Sequence, residues 1–219
     1  MFYEKFLFLF VSNNRFMPKI TKISQQKRNS RVNIYLDDKF GFGLSKKTLV
    51  DFDLFVGKNL NQKKIKKILE KDQRIKALEK SFRLLGIRPR SQKELEKKLK
   101  EKGFSDKIIK ETFKKLKDYG YLDDKKFAQL WLEMKKLSGK GKFFIRKELK
   151  EKGIEENLAK KILARYSPKE EISVAYNLIK RKINKYKNLK FLEKKQKIAR
   201  YLATRGFSWE IINEVLNNF

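Results

Sequence analysis

Apolar residues in the C-terminal two-thirds of the chain recur at helical spacing, and one pattern is written three times. The copies begin at Leu95, Ile145 and Ile198 and bring Gly103, Gly153 and Gly206 into register. Such a repeat sets the architecture before any single residue is interpreted. In each copy an i, i+4 pair marks the buried face of a short helix: Leu95 with Leu99, Ile145 with Leu149, Ile198 with Leu202. The glycine follows where a helix C-terminus calls for a left-handed residue. Phe104, Ile154 and Phe207 then precede Ser105, Glu155 and Ser208, the N-cap positions of a second helix. Ile109 and Ile212 are placed to staple back onto the two phenylalanines. The second helices are expected to bury Ile108, Ile109, Phe113 and Leu116, then Leu158, Ile162, Leu163 and Tyr166, then Ile211, Ile212, Val215, Leu216 and Phe219. A further amphipathic helix precedes each pair, around residues 74–86, 124–138 and 168–186. Ser91 with Glu94 and Ser167 with Glu170 read as capping boxes, and Pro168 takes the first helical position, where its missing N–H costs nothing. The pattern predicts a mainly α fold, an elongated, curved array of three tandem three-helix repeats.

Upstream, the period changes from helical to alternating. Lys19–Ser24 and Arg31–Leu36 read as strands, Asp37-Asp38-Lys39 as the turn into Phe40–Leu44, and Lys46–Phe52 as a short helix. This small N-terminal β-hairpin module is marginal alone and is expected to dock on the first helices, with Asn61–Lys71 as an amphipathic connector. The expected divisions are an upstream extension at 1–16, the hairpin module at 17–60, the connector and first repeat at 61–122, the second repeat at 123–167 and the third at 168–219. Phe6–Val11 is apolar but too short to span a bilayer, and Lys5 alone makes a poor basic region for a signal peptide. Met17 reads as the more natural start.

Charge bears on the partner more than on the fold. Lys and Arg number 57 against 26 Asp and Glu, a formal net charge of +31 that is mostly lysine. Any one run, such as Lys97-Lys98 or Lys114-Lys115, is an ordinary solvated helix face. The whole-chain surplus would repel itself unless offset by a polyanion or an acidic protein. An AT-rich genome also favours such a composition. Cysteine is absent, which removes disulfides and thiolate metal sites and fits a reducing cytoplasm. Histidine is absent too, and with it the commonest general base and metal ligand. No serine, threonine or lysine stands in a G-x-S-x-G or S-x-x-K context that would make it a nucleophile. Asp37-Asp38 and Asp123-Asp124 could hold Mg²⁺, but a turn and a helix start give both pairs structural roles. Gly139-Lys140-Gly141-Lys142 lacks the spacing of a phosphate loop and reads as a hinge or anion-contacting loop. No catalytic residue, metal site or cofactor is expected.

Several segments together carry a family resemblance. They are Arg88-Pro89-Arg90-Ser91-Gln92-Lys93-Glu94-Leu95, Gly120–Ala128 with Trp131, the basic glycine loop leading to Ile145–Leu149, Lys152-Gly153-Ile154, and Arg205-Gly206-Phe207-Ser208. In order and spacing they resemble the RecX regulatory proteins over residues 17–219. The resemblance implies a non-enzymatic modulator that lies in the groove of the RecA filament on single-stranded DNA. There it would block extension or promote disassembly, reducing strand exchange, ATP hydrolysis and repressor cleavage and so affecting DNA repair and the SOS response. A cytoplasmic location and a monomeric state are expected.

On the positions that match the family's basic residues, Arg88, Arg90, Lys135, Lys140, Lys142 and Arg146 are expected around the joints of repeats one and two. Arg200 and Arg205 are expected in repeat three. All are candidates for contact with RecA carboxylates or DNA phosphates. At Lys135 and Lys136 relatives usually show arginine; lysine keeps the charge but loses the bidentate fork. Phe127, Trp131, Phe143 and Phe144 are expected in the core rather than as base-stacking platforms, because Phe127 and Trp131 share a helix face. The rival reading is a sequence-independent nucleic-acid-binding protein that ignores RecA. A Mg²⁺-dependent nuclease using Asp123 and Asp124 is a more distant one.

Overall fold

A computed structural model describes residues 17–26 and 30–218; the upstream extension and Phe219 lie outside them. Two compact units make up the chain, one from the described part of Met1–Leu84 with Leu99–Lys115, the other from Leu85–Lys98 with the described part of Leu116–Phe219.

The alternating N-terminal pattern forms a three-stranded antiparallel sheet of β1 (Ile20–Gln25), β2 (Arg31–Leu36) and β3 (Lys39–Ser45), in that spatial order. Val32 pairs with Leu44 and Ile34 with Phe42, so each strand presents its apolar set to one face. Asp37 and Asp38 both take positive φ, 46° and 63°, as a two-residue hairpin turn requires. The turn is tied to β1 by the Lys19 amide donating to Asp37 and the Asp38 amide donating to Thr21 Oγ1. Ser45 caps α1 (Lys46–Asp51).

The sheet closes its core on α2 (Gln62–Ile87), with Ile68 and Leu69 packed among Ile20, Ile34, Leu36, Leu44, Leu54 and Leu60. The expected docking of the hairpin module on the first helices is therefore present. The separate connector and first helix are not: residues 62–87 form one continuous helix. Asp72 lies within this helix. Its carboxylate is fully buried and points sideways, accepting from the Ser45 amide at 2.7 Å and pairing with Arg31 at 3.1 Å and Lys76 at 2.9 Å.

The remaining helices are α3 (Gln92–Lys100), α4 (Asp106–Asp118), α5 (Asp124–Leu137), α6 (Lys142–Glu151), α7 (Glu156–Leu163), α8 (Pro168–Lys180), α9 (Phe191–Thr204) and α10 (Trp209–Asn217). The register glycines 103, 153 and 206 have φ of 80°, 78° and 83°. At each, the next residue's amide reaches back to the carbonyl of Leu99, Leu149 or Leu202, the paired bonding of a Schellman stop. Ser167 and Glu170 form the expected capping box with Pro168 at N1. Residues 168–186 are not one helix; α8 ends at Lys180 and a 3₁₀ turn follows at Ile183–Tyr186. Lys180, Arg181, Lys182, Lys185 and Lys187 crowd this stretch, and like charges at i, i+4 oppose a continuous helix. Among the described residues, no helix is long and apolar enough to cross a membrane.

The Asp72 anchor gives a test of how the sheet is held. Asp72→Ala leaves the Ser45 amide and Arg31 without their buried partner and is expected to cost about 3 kcal/mol. Urea unfolding measures it; a midpoint unchanged from wild type would mean that apolar packing alone seats the sheet.

Candidate functional site

Two junctions inside the second unit position the basic residues. At the first, the Ser91 hydroxyl, just before α3, donates to the Lys152 carbonyl at 2.7 Å, and the Gln92 amide donates to Asp124 at 2.8 Å. At the second, the residue just before α6 is Gly141, whose amide donates to the Arg205 carbonyl at 3.0 Å, while the Phe143 amide donates to the Gly206 carbonyl at 3.1 Å. Lys152 and Arg205 hold equivalent places, each immediately before a register glycine. Each junction thus seats a helix N-terminus on the glycine turn of the following repeat. A Cβ on Gly141 would overlap the Gly206 carbonyl, and one on Gly206 would overlap the Phe144 backbone, so the two main chains touch directly.

The Gly139–Lys142 loop forms no backbone anion cradle, because all its amides are committed. Those of Gly139 and Lys140 close α5 on the carbonyls of Lys136 and Lys135, that of Gly141 goes to Arg205, and that of Lys142 to Glu171 at 2.8 Å. Burial raises the Glu171 carboxyl above the ordinary range despite the Lys142 amide and ammonium beside it. Asp123 caps α5 through the Lys125 and Lys126 amides, and Asp124 holds Gln92, so both carboxylates of the proposed Mg²⁺ pair are engaged by backbone.

A line of alternating cations, carboxylates and rings connects the junctions. Glu94 takes both Arg88 guanidinium nitrogens, at 3.0 and 3.1 Å, and the Lys152 ammonium at 2.8 Å. Burial would raise its pKa, but these hydrogen bonds outweigh it and hold the carboxyl at about 2. Lys152 lies 3.9 Å from the centre of the Trp131 ring and Lys135 4.6 Å, with Phe127 stacked at 5.6 Å. The Trp131 N–H donates to Glu148 at 2.9 Å, and Lys135 pairs with the same carboxylate at 2.9 Å. Phe127 and Trp131 are thus packing elements, as expected. Phe143 is not, being 59% exposed.

Beyond Lys135 the carboxylates run out. Lys140 sits 3.7 Å over the Phe144 ring; burial, then the nearby charges of Arg205 and Lys135, pushes its pKa down. Arg205 lies over Tyr201 at 5.1 Å and reaches the Ser138 carbonyl at 3.4 Å, and Lys182 lies over the same tyrosine at 3.8 Å. Among the described residues, Lys140, Arg205 and Lys182 have no carboxylate within ion-pair reach. Cations crowded against aromatic faces without counter-ions bind carboxylate or phosphate oxygens.

The eight candidate residues all fall in the second unit, but the structure brings only some of them together. Lys135, Lys140 and Arg205 converge. Lys142 belongs to the other side of the second junction, with Glu171 at 3.7 Å and the Tyr166 ring at 5.9 Å. Arg88 is held by Glu94 and Arg146 by Glu156. Arg90 is half-buried, and Arg200 is exposed on α9. Lys136, paired with Glu133 and Glu170, does internal work. Sequence reasoning missed Lys152 and Lys182 as parts of the seam. The match of Lys152 to Arg205 before the register glycine was the available signal; nothing local marked Lys182.

The comparisons agree with this architecture. A family model described as the regulatory protein RecX N-terminal domain matches residues 18–61, and the RecX first, second and third three-helix domains match 77–124, 123–163 and 169–216. The regulatory protein RecX of Bacillus licheniformis is 40% identical over 202 residues, covering 91% of this chain and 77% of that protein. That of Bacillus subtilis is 37% identical over 203 residues, covering 92% and 77%. Among solved structures, a crystal structure of regulatory protein RecX matches with TM-score 0.68 and 31% identity, over 91% of this chain and 99% of its own. RecX from Lactobacillus salivarius matches with TM-score 0.62 and 30% identity, over 67% and 96%.

Gly141→Ala, at a position of ordinary φ, is expected to destabilise the protein by about 1–3 kcal/mol because the new methyl overlaps the Gly206 backbone. An unshifted urea midpoint would mean the two main chains can part without cost. Glu94 supplies a second test with a defined sign. Its carboxyl ionises near 2 when folded and at an ordinary 4.5 when free, so its contribution is fully present above 4.5 and is lost as pH falls toward 2. The stability difference between wild type and Glu94→Gln should therefore shrink across that window; a difference independent of pH would contradict the ion-paired seam.

Proposed function

The chain belongs to the RecX family of regulatory proteins, and from that premise we propose that it is a non-enzymatic regulator of the RecA recombinase, acting on the RecA nucleoprotein filament formed on single-stranded DNA. In this reading it restrains ATP hydrolysis, strand exchange and RecA-dependent repressor cleavage, and so damps recombination and the SOS response. It works as a monomer in the cytoplasm.

The observation that supports the reading most is the Lys135, Lys140 and Arg205 cluster, in which two of the three cations lack a carboxylate partner. A nucleoprotein filament presents both phosphates and protein carboxylates, and the guanidinium fork of Arg205 with the ammonium of Lys140 suits either. Arg88 and Arg146 face solvent and can exchange their internal carboxylates for those of a partner. The absence of histidine and cysteine, and the backbone engagement of Asp123 and Asp124, support a regulatory role without chemistry of its own.

RecA-catalysed ATP hydrolysis on single-stranded DNA, with RecA from the same organism and this protein in substoichiometric amount, provides the test. Wild type is expected to inhibit at ratios too low to coat the DNA. Lys140→Glu with Arg205→Glu should raise the concentration needed by about tenfold or more, with far-UV circular dichroism unchanged. Full inhibition by a folded double variant would move the contact elsewhere. No inhibition by wild type, with DNA binding that falls steeply with salt, would favour a general nucleic-acid binder instead.

A further inference from the structure

Helix α5 carries an apolar stripe that the second unit leaves uncovered. Leu130, Met134 and Leu137, at i, i+4 and i+7, are 52%, 48% and 86% exposed, whereas Phe127, Ala128 and Leu132 of the same helix are 4%, 0% and 1% exposed. Side chains at that spacing form one helix face, the kind that normally packs against another element. Beside Leu130 runs an open groove of about 410 Å³, lined by Lys126, Gln129, Leu130, Leu132, Glu133 and Arg165. Glu133 is answered by Lys136 at 3.4 Å. Lys126 and Arg165 are exposed and, among the described residues, have no carboxylate partner.

We propose that the Leu130, Met134 and Leu137 face, flanked by Lys126 and Arg165, is a docking surface for an acidic amphipathic helix of a partner protein. The partner's apolar residues would cover the stripe, and its carboxylates would reach the two flanking cations. Charge chooses this occupant: a second copy of a chain carrying +31 would bring more cations to a surface already short of anions. A nucleic acid would meet the cations but leave the apolar stripe in water. The surface shares no residue with the Lys140 and Arg205 cluster and goes beyond the filament-binding reading.

Fluorescence anisotropy of a short labelled synthetic helix tests it directly. The peptide carries leucines at i, i+4 and i+7 and glutamates on its flanks; a control peptide has the same charges with alanine for leucine. The leucine peptide is expected to bind the full chain and the alanine peptide not. Leu130→Gln with Met134→Gln, both at exposed positions, should weaken binding by about tenfold. Lys126→Gln with Arg165→Gln should weaken it several-fold and flatten its salt dependence. The Lys140→Glu, Arg205→Glu protein should bind the peptide like wild type, which separates this surface from the RecA reading. Equal binding of the alanine peptide, or undiminished binding by the Leu130→Gln, Met134→Gln protein, would overturn the proposal, as would no binding by wild type.

Discussion

Where Gly141 meets Gly206, two main chains come together with no side chain between them, and the rest of the candidate site takes its position from that contact. The amides of Gly141 and Phe143 are bonded to the carbonyls of Arg205 and Gly206, so the start of α6 and the end of α9 are fixed to each other over a few atoms. Fixing the backbone in this way leaves side chains as the only groups free to meet an outside anion. Lys140 precedes the contact on one strand of chain and Arg205 lies in it on the other, which is why two residues far apart in sequence become neighbours. The first junction is built on the same plan with a different atom: the Ser91 hydroxyl reaches the Lys152 carbonyl where Gly141 uses its own amide. A side chain gives the longer reach, so that junction does not require the main chains to touch.

The charge distribution follows from where the carboxylates are. Glu94, Glu148, Glu156, Glu170 and Glu171 all sit at or beside the junctions and each meets at least one cation. Most of these pairs are partly solvated, so their larger effect is to hold side chains in one orientation. Lys140 has a ring instead of a carboxylate, as Arg205 and Lys182 do. Its contact with Phe144 contributes about 0.5–2 kcal/mol, less than a phosphate or carboxylate could supply at the same position. A cation so placed is held ready for a partner without being neutralised by the protein itself.

Much of the fold was legible because its determinants are local. The register glycines, the Ser105, Ser167 and Ser208 caps, and the Asp37-Asp38 turn each act within a few residues, and each appears as the pattern requires. Glu155, a poor cap by propensity, nonetheless accepts from the Asn157 and Leu158 amides. What was not legible depended on distant parts of the chain. Asp72 finds its buried partners in Ser45 and Arg31, well upstream of its own helix, and Phe143, expected in the core, is exposed. The candidate site was half legible for the same reason. Basic residues could be nominated, but which of them would keep a free charge was decided by carboxylates arriving from other helices, Glu94 for Arg88 and Glu148 for Lys135. No spacing in the sequence announces such pairings.

The contact between the cationic cluster and the filament can be read directly. The chain has no cysteine, so Thr204→Cys, at an exposed position next to Arg205, creates a unique thiol for a photo-reactive crosslinker without removing a charge. Photolysis in the presence of RecA filaments on single-stranded DNA should yield a covalent adduct with a filament component, and unlabelled protein should compete it away. No adduct from a labelled protein that still restrains ATP hydrolysis would contradict the assignment of this cluster as the contact.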